Sequence, residues 1–304
     1  MGKLIVLDGG MGKELRRIGA PFRQPEWSAL ALIEAPERVL EAHNNFVAAG
    51  AEVIITNNYA VVPYHLGDDV MAARGTELTA LAGRLARQAA DAADRPVSVA
   101  GSLPPLFGSY QPENFDPARA ASYYRGMVEA LDPFVDLWLG ETFSLIDELH
   151  SIVEAIAVAR SERPIWVAFS LPDEWAAERG IALRSGETPA DIADAVAASS
   201  GAIEAVLFNC SIPEQTGPGI RALADALDSR RLDVRIGGYA NAFPTTRNES
   251  YAANLTVLER REELTAERYA DFVADWIADG ATIVGGCCDM YPEHIAALAD
   301  RFGS

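Results

Sequence analysis

The chain has 304 residues, of which 49% are hydrophobic and 23% are charged. These proportions are typical of a globular protein and exclude an intrinsically disordered one. The 44 acidic residues outnumber the 25 basic residues, giving a formal net charge of −19. The negative electrostatic potential of such a protein repels phosphate backbones and therefore disfavours nucleic acid as a partner. With no long apolar stretch and no secretory signal at the start, we expect a cytoplasmic protein without a membrane partner.

Eight short apolar runs recur along the chain, and each ends at a small or polar residue. They are continuously apolar instead of alternating with polar residues, which is typical of strands buried on both faces of a parallel sheet. The predicted strands are residues 4–7, 53–55, 97–100, 137–139, 165–169, 205–208, 234–236 and 282–284.

Segments with helical periodicity separate these strands, and Pro117, Pro189 and Pro292 suit the first turn of a helix. Eight strands alternating with eight helices predict an α/β protein that forms a single (β/α)8 barrel over residues 1–304. A doubly wound open sheet is the main alternative, but no GxGxxG motif follows the first strand. Two longer stretches, 60–76 and 242–264, are predicted as loops on the catalytic face. The predicted helices are 36–49, 77–93, 118–131, 146–160, 190–199, 220–227, 266–278 and 292–301.

All three cysteines of the chain follow predicted strands. Cys210 follows the sixth strand, and Cys287 and Cys288 follow the eighth. An odd number of cysteines in a reducing compartment argues against a disulfide framework. Strands 6 and 8 of a barrel are one strand apart, so the three sulfurs can reach one Zn²⁺ ion and leave a fourth position open, which is the pattern of a catalytic site.

The two adjacent cysteines require a change in backbone direction if they bind one ion, because successive side chains of a strand point to opposite faces. Gly285 and Gly286 precede them and are predicted to provide that freedom. Two alternatives remain: Cys210 is a small buried apolar residue, or the zinc ligands include a histidine. The four histidines lack ligand spacing to the cysteines, and they are His43, His65, His150 and His294.

Other polar groups stand at the predicted strand ends. Asp8 follows the first strand and Glu141 the fourth, Asn209 directly precedes Cys210, and Tyr239 follows the seventh strand. Lys3 and Lys13 are the only lysines, and neither lies in a motif that indicates a Schiff base. Trp27 and Trp166 are predicted to pack in the core.

Motifs along nearly the whole chain resemble the homocysteine S-methyltransferase family. The most specific is Asn209-Cys210 paired with Gly285-Gly286-Cys287-Cys288, and Pro292 and His294-Ile295 follow it. Other matching segments are Leu7-Asp8-Gly9-Gly10-Met11, Glu26-Trp27-Ser28, Ala35-Pro36 with His43, Gly50-Ala51 through Thr56-Asn57 to Tyr59, and Glu141-Thr142.

The resemblance implies a (β/α)8 barrel and a zinc cofactor bound by Cys210, Cys287 and Cys288. It also implies that Asp8 and Glu141 hold the amino group of homocysteine. Tyr59 and Asn209 are further predicted substrate-binding residues, and Tyr239 is a candidate contact to substrate or donor.

Two segments depart from the family pattern. Members commonly have Gly-Ser-Ile-Gly-Pro-Tyr after strand 3, whereas residues 101–105 read Gly-Ser-Leu-Pro-Pro. After strand 7 many have Tyr-Pro-Asn-Ser-Gly, whereas residues 238–243 read Gly-Tyr-Ala-Asn-Ala-Phe. Both segments lie on the predicted catalytic face, so the identity of the methyl donor is the property they bring into question.

The leading hypothesis is a zinc-dependent enzyme that transfers a methyl group from a cationic donor to the thiolate of homocysteine and forms methionine. S-methylmethionine is the first candidate for the donor. No catalytic group is predicted beyond the zinc-activated thiolate. Alternatives keep the zinc-thiolate site but change one substrate. The methyl donor would be betaine, S-adenosylmethionine or a separate corrinoid protein, or the acceptor would be selenohomocysteine. A thiol or zinc sensor without turnover is the alternative from another class. The expected partners are small molecules, and a homo-oligomer is compatible with the sequence.

Overall fold

The computed structural model describes residues 3–174, 180–244 and 260–303. Eight parallel strands form one sheet in the order β1-β8-β7-β6-β5-β4-β3-β2. A bridge between Leu7 and Val53 joins the first strand to the second, so the sheet curls into a nearly closed barrel, as predicted. The strands are β1 (Ile5–Val6), β2 (Val53–Ile55), β3 (Ser98–Leu103), β4 (Leu137–Phe143), β5 (Ile165–Phe169), β6 (Ile203–Asn209), β7 (Arg235–Ala240) and β8 (Ile283–Gly286).

Helices follow the strands and cover the outside of the barrel. Three helices begin at the predicted prolines, Pro117, Pro189 and Pro292. The residue before the proline caps two of them: Asp116 accepts a hydrogen bond from the N–H of Ala118 at 3.0 Å, and Thr188 accepts one from the N–H of Asp191 at 3.3 Å. The helices are α1 (Met11–Arg17), α2 (Ala29–Glu34), α3 (Pro36–Ala48), α4 (Pro63–Asp91), α5 (Pro117–Leu131), α6 (Ile146–Val158), α7 (Pro189–Ala198), α8 (Pro213–Arg230), α9 (Ala266–Ala278) and α10 (Pro292–Phe302).

The core has an inner and an outer layer. Inside the barrel, side chains from all eight strands pack together, including Leu139, the predicted core residue Trp166, and Tyr239. A larger cluster fills the space between the strands and the helices. Because the inner layer is filled by side chains, any site for a small molecule must lie above it, at the ends of the strands. No helix within the described ranges is long and apolar enough to cross a membrane.

Helices α1 and α2 were not predicted, and two predicted helix starts were wrong by more than five residues. Residues 60–76 were predicted as a loop, but α4 begins at Pro63 and continues through Gly67, where a positive φ of 77° kinks the helix. Proline and glycine within five residues mask the helical periodicity, although proline at a first turn is favourable. Helix α8 likewise begins at Pro213, seven residues before its predicted start at 220. Of the predicted loop 242–264, residues 245–259 lie outside the described residues.

A buried acid stabilises the loop after β4, and it makes the stability of the fold depend on pH. Glu148 is 4% exposed and accepts a hydrogen bond from the N–H of Ser144 at 2.8 Å. Burial raises the pKa of Glu148 from 4.5 to about 8. Between these values the folded protein holds a proton that the unfolded chain releases, so the free energy of unfolding falls as pH rises, by at most about 1.4 kcal/mol per pH unit.

We expect Glu148→Gln to become progressively more stable than the wild type as pH rises from 5 to 8, because the amide keeps an acceptor oxygen and stays uncharged. Urea unfolding at several pH values measures this difference. Asp147→Asn is the matched control, since Asp147 precedes Glu148 in the same helix turn but is exposed. Parallel pH profiles for the wild type and Glu148→Gln would contradict the prediction.

Candidate active site

A cavity opens at the carboxyl ends of the strands and brings together residues that are far apart in sequence. Its lining includes most of the predicted site residues, which are Asp8, Tyr59, Glu141, Cys210, Cys287 and Cys288. The predicted residue Asn209 is not among those that line the cavity.

The three cysteines converge from two neighbouring regions of the barrel rim. Cys210 directly follows β6 and has a left-handed backbone with φ 45°. The N–H of Cys287 donates to the carbonyl oxygen of Ala240 at 2.8 Å, which fixes the end of β8 against β7. The sulfur atoms of Cys210, Cys287 and Cys288 all lie within 4.8 Å of one another. No histidine or carboxylate joins this group within residues 3–174, 180–244 and 260–303, so the structure does not support a ligand set that includes histidine.

Cys210 and Cys287 form a disulfide, with their Cα atoms 5.6 Å apart, and Cys288 is a free thiol. The expectation that the chain holds no disulfide was therefore wrong. That expectation rested on a reducing compartment and an odd number of cysteines. Neither of them indicates how close β6 and β8 bring the cysteines at their ends. A disulfide sulfur is not a thiolate, so Cys210 and Cys287 can both bind a metal ion only after reduction.

The two glycines before the paired cysteines do not act as predicted. Gly285 and Gly286 lie in β8, and the left-handed residue in this region is Asp289, after the cysteines, with φ 62°. Gly285 instead permits close packing, since a Cβ atom there would lie 2.5 Å from Cβ of Leu7. Gly285 therefore lets β8 approach the residue that follows β1, and the chain turns at Asp289.

Two carboxyl groups line the same cavity as the cysteines, as the strand-end positions predicted. Asp8 is 2% exposed and Glu141 is 6% exposed. One oxygen of Asp8, Oδ2, accepts the N–H of Ile55 at 2.8 Å, whereas Oδ1 is buried without a hydrogen-bond partner. Glu141 accepts a hydrogen bond from the hydroxyl of Ser102. Burial raises the pKa of Asp8 above its ordinary value and that of Glu141 to about 7.

The two other predicted substrate-binding residues differ in position. Tyr59 lines the cavity, and its hydroxyl is hydrogen-bonded to that of Ser109 at 2.7 Å. Asn209 is fully buried, and its side chain bonds Thr142 twice, accepting from the backbone N–H and donating to Oγ1, both at 2.9 Å. Asn209 thus links the ends of β6 and β4, and a direct contact with substrate stays a prediction.

Several residues of the cavity were missed from the sequence. Lys13 lines it and forms an ion pair with Asp289, with 3.0 Å between Nζ and Oδ2 and exposures of 6% and 1%. Trp27, predicted as core, also lines the cavity, and so does His65, which lies in α4 and not in a loop. The scarcity of lysine was the only signal for Lys13, because its partner is far away in sequence.

Burial also acts on the free thiol. It raises the pKa of Cys288 to about 12, more than the positive charge of Lys13 lowers it. Cys288 without a bound cation is therefore a protonated, weakly nucleophilic thiol at neutral pH. A divalent ion among the three sulfurs would reverse this balance, because a coordinating thiol loses its proton.

Comparisons with known proteins agree with this site. A family model described as homocysteine S-methyltransferase matches residues 5–302. Homocysteine S-methyltransferase from Escherichia coli (strain K12) is 31% identical over 321 residues, covering 98% of this chain and 95% of that protein. Selenocysteine methyltransferase from Astragalus bisulcatus is 25% identical, covering 98% of this chain and 92% of that protein.

Solved structures show the same relationship. The homocysteine methyltransferase MmuM from Escherichia coli in its metallated form has a TM-score of 0.78 and 26% identity, covering 99% of this chain and 96% of that one. The oxidized form of MmuM gives the same TM-score of 0.78. The family model and the full-length relatives together establish that this chain is a methyltransferase that belongs to the homocysteine S-methyltransferase family.

Proposed function

We propose that this enzyme transfers a methyl group from a cationic donor, S-methylmethionine in the first instance, to the sulfur of homocysteine, with Zn²⁺ as its cofactor. One observation carries the proposal: three cysteine sulfurs lie within 4.8 Å of one another in a cavity that also holds two buried carboxyl groups. The relative from Escherichia coli named homocysteine S-methyltransferase supports the choice of acceptor.

The donor set fits zinc. Thiolates are soft ligands that select zinc over the hard cations, and three protein ligands are typical of a catalytic zinc site. Cys210, Cys287 and Cys288 would hold the ion once the disulfide is reduced. Bound zinc would favour the deprotonated form of an incoming thiol, which otherwise has a pKa near about 8.5 and is mostly protonated at neutral pH. The need for three reduced cysteines also supports a cytoplasmic location.

The carboxyl groups would recognise the amino-acid part of homocysteine. The unpartnered Oδ1 of Asp8 and the carboxylate of Glu141 can accept N–H groups from an ammonium ion. A bound cation stabilises the ionised form of both acids and so opposes the effect of burial on their pKa values. Asp8 and Glu141 would in this way hold the acceptor with its sulfur directed towards the cysteines.

Aromatic rings around the cavity suit a cationic donor. Trp27, Tyr59, Tyr110 and Phe243 all line it, and aromatic faces attract sulfonium and quaternary ammonium groups. In the transfer, a new S–CH3 bond forms on homocysteine as the S–CH3 bond of the donor breaks. The donor leaves as a neutral thioether and the thiol proton passes to solvent, so that S-methylmethionine and homocysteine give two molecules of methionine. Alignment of donor and acceptor supplies most of the acceleration.

A donor screen on the reduced, zinc-loaded protein tests the proposal. Homocysteine is mixed with methyl-labelled S-methylmethionine, betaine or S-adenosylmethionine, and labelled methionine is measured by mass spectrometry. We expect product from S-methylmethionine, with turnover lost on chelation while most of the fold is kept. Product from another donor alone would replace the donor in the proposal, and no product from any of them would remove the reaction and favour the sensor hypothesis.

A further inference from the structure

The hydroxyl group of Tyr239 is buried in the cavity without a partner. Tyr239 is 1% exposed, and its ring belongs to the inner layer of the barrel. Strand β7 places it beside Asn209 of β6 and Gly285 of β8. Its hydroxyl makes no hydrogen bond, and an unsatisfied buried polar group costs about 1–3 kcal/mol. A group of this kind in the lining of a cavity indicates that a ligand completes its bonding.

The same cavity holds a second unsatisfied atom, Oδ1 of Asp8. Among the described residues that line the cavity, these two are the buried side-chain oxygens without a hydrogen bond. Asp8 and Glu141 line the same cavity as Tyr239. Burial, together with the negative charges of these two acids, raises the pKa of Tyr239. Tyr59 differs, because its hydroxyl already bonds Ser109.

An ammonium group fits this arrangement. It has three N–H donors and no acceptor, and Asp8, Glu141 and Tyr239 offer one acceptor each. The phenolic O–H, in turn, can donate to one of the two carboxylates. We propose that the Tyr239 hydroxyl is the third acceptor of the substrate's α-ammonium group and that it selects thiols with an α-amino group; this rests on the proposed function. A site built to hydrogen-bond a polar group discriminates strongly against analogues that lack it.

Calorimetric binding to the reduced, zinc-loaded, full-length protein tests the inference with two thiols. Homocysteine has the amino group, and 4-mercaptobutanoate is the same molecule without it. We expect Tyr239→Phe to weaken homocysteine binding about tenfold, the effect of one lost hydrogen bond to a charged group, and to leave 4-mercaptobutanoate binding unchanged. Tyr124→Phe is the matched control: Tyr124 is fully buried outside the cavity, and its hydroxyl bonds the carbonyl of Pro104 at 3.1 Å.

The outcomes are distinct. Equal weakening of both thiols by Tyr239→Phe would show that the residue acts through packing, and no weakening of either would show that the hydroxyl is satisfied by water; each result overturns the inference. Absence of measurable homocysteine binding to the wild type overturns it as well. If homocysteine binds with the expected selectivity but no donor yields methionine, the inference stands and the proposed reaction fails.

Discussion

Zinc content and turnover are expected to fall together when Cys287 is replaced by serine, while the barrel remains folded. A serine hydroxyl is not a thiolate, so only Cys210 and Cys288 would remain as sulfur ligands. Changes in the groups that merely support a metal ligand typically cost 10–100-fold, so we expect loss of a ligand to reduce turnover by at least about a hundredfold. The far-ultraviolet circular dichroism should stay close to that of the wild type, because the helices and strands do not depend on this side chain.

The experiment measures zinc per chain, the rate of methionine formation and circular dichroism. Both proteins are kept reduced, because the wild type can form the disulfide and Cys287→Ser cannot. Thr216→Val is a suitable control because Thr216 is fully buried on α8 and does not line the cavity. This variant should keep its zinc and its rate. A Cys287→Ser protein with full zinc content and the wild-type rate would exclude Cys287 as a ligand.

Lys13→Met is expected to destabilise the protein by about 3–5 kcal/mol, because it leaves the carboxylate of Asp289 buried without its counter-charge. The ion pair spans 3.0 Å and both side chains are buried. A remaining hydrogen bond to Asp289 from the hydroxyl of Tyr291, at 3.1 Å, does not neutralise the charge. Denaturant unfolding measures the loss.

A double-mutant cycle separates the ion pair from packing. Asp289→Asn is the appropriate second change, since asparagine tolerates the left-handed backbone at this position. The double variant should recover most of the stability lost in Lys13→Met. The other lysine of the chain provides the control: Lys3 pairs with Glu52 but is 59% exposed, so Lys3→Met should change stability by about 1 kcal/mol or less. A loss for Lys13→Met no larger than that for Lys3→Met would contradict the prediction.

The ion pair also has a structural consequence for the site. It connects α1, which follows Gly9 and Gly10, to the turn that follows Cys288. Close packing accompanies it: a Cβ atom on Gly10 would lie 2.5 Å from the carbonyl oxygen of Cys287. The loop after β1 and the cysteine pair after β8 are therefore packed against each other, which accounts for Gly10 in this loop and for the buried lysine in the first turn of α1.

The sequence by itself was sufficient for the barrel and for part of the composition of its rim, since Lys13, Trp27 and His65 were missed. Strands buried on both faces must be continuously apolar, so their positions can be read directly. Because parallel strands of a barrel end at one face, the cysteines, Asp8 and Glu141 could be placed together. The resemblance to the family added their expected roles.

The tertiary structure decided what depends on distance between remote segments. Three features follow from how neighbouring strands and loops pack. They are the disulfide between Cys210 and Cys287, the ion pair of Lys13 with Asp289, and the unsatisfied hydroxyl of Tyr239. The glycines before the cysteine pair serve close packing, a role that residue type alone cannot distinguish from a turn. Periodicity along a chain records which face a side chain occupies, whereas the partner it meets there is set by segments tens or hundreds of residues away.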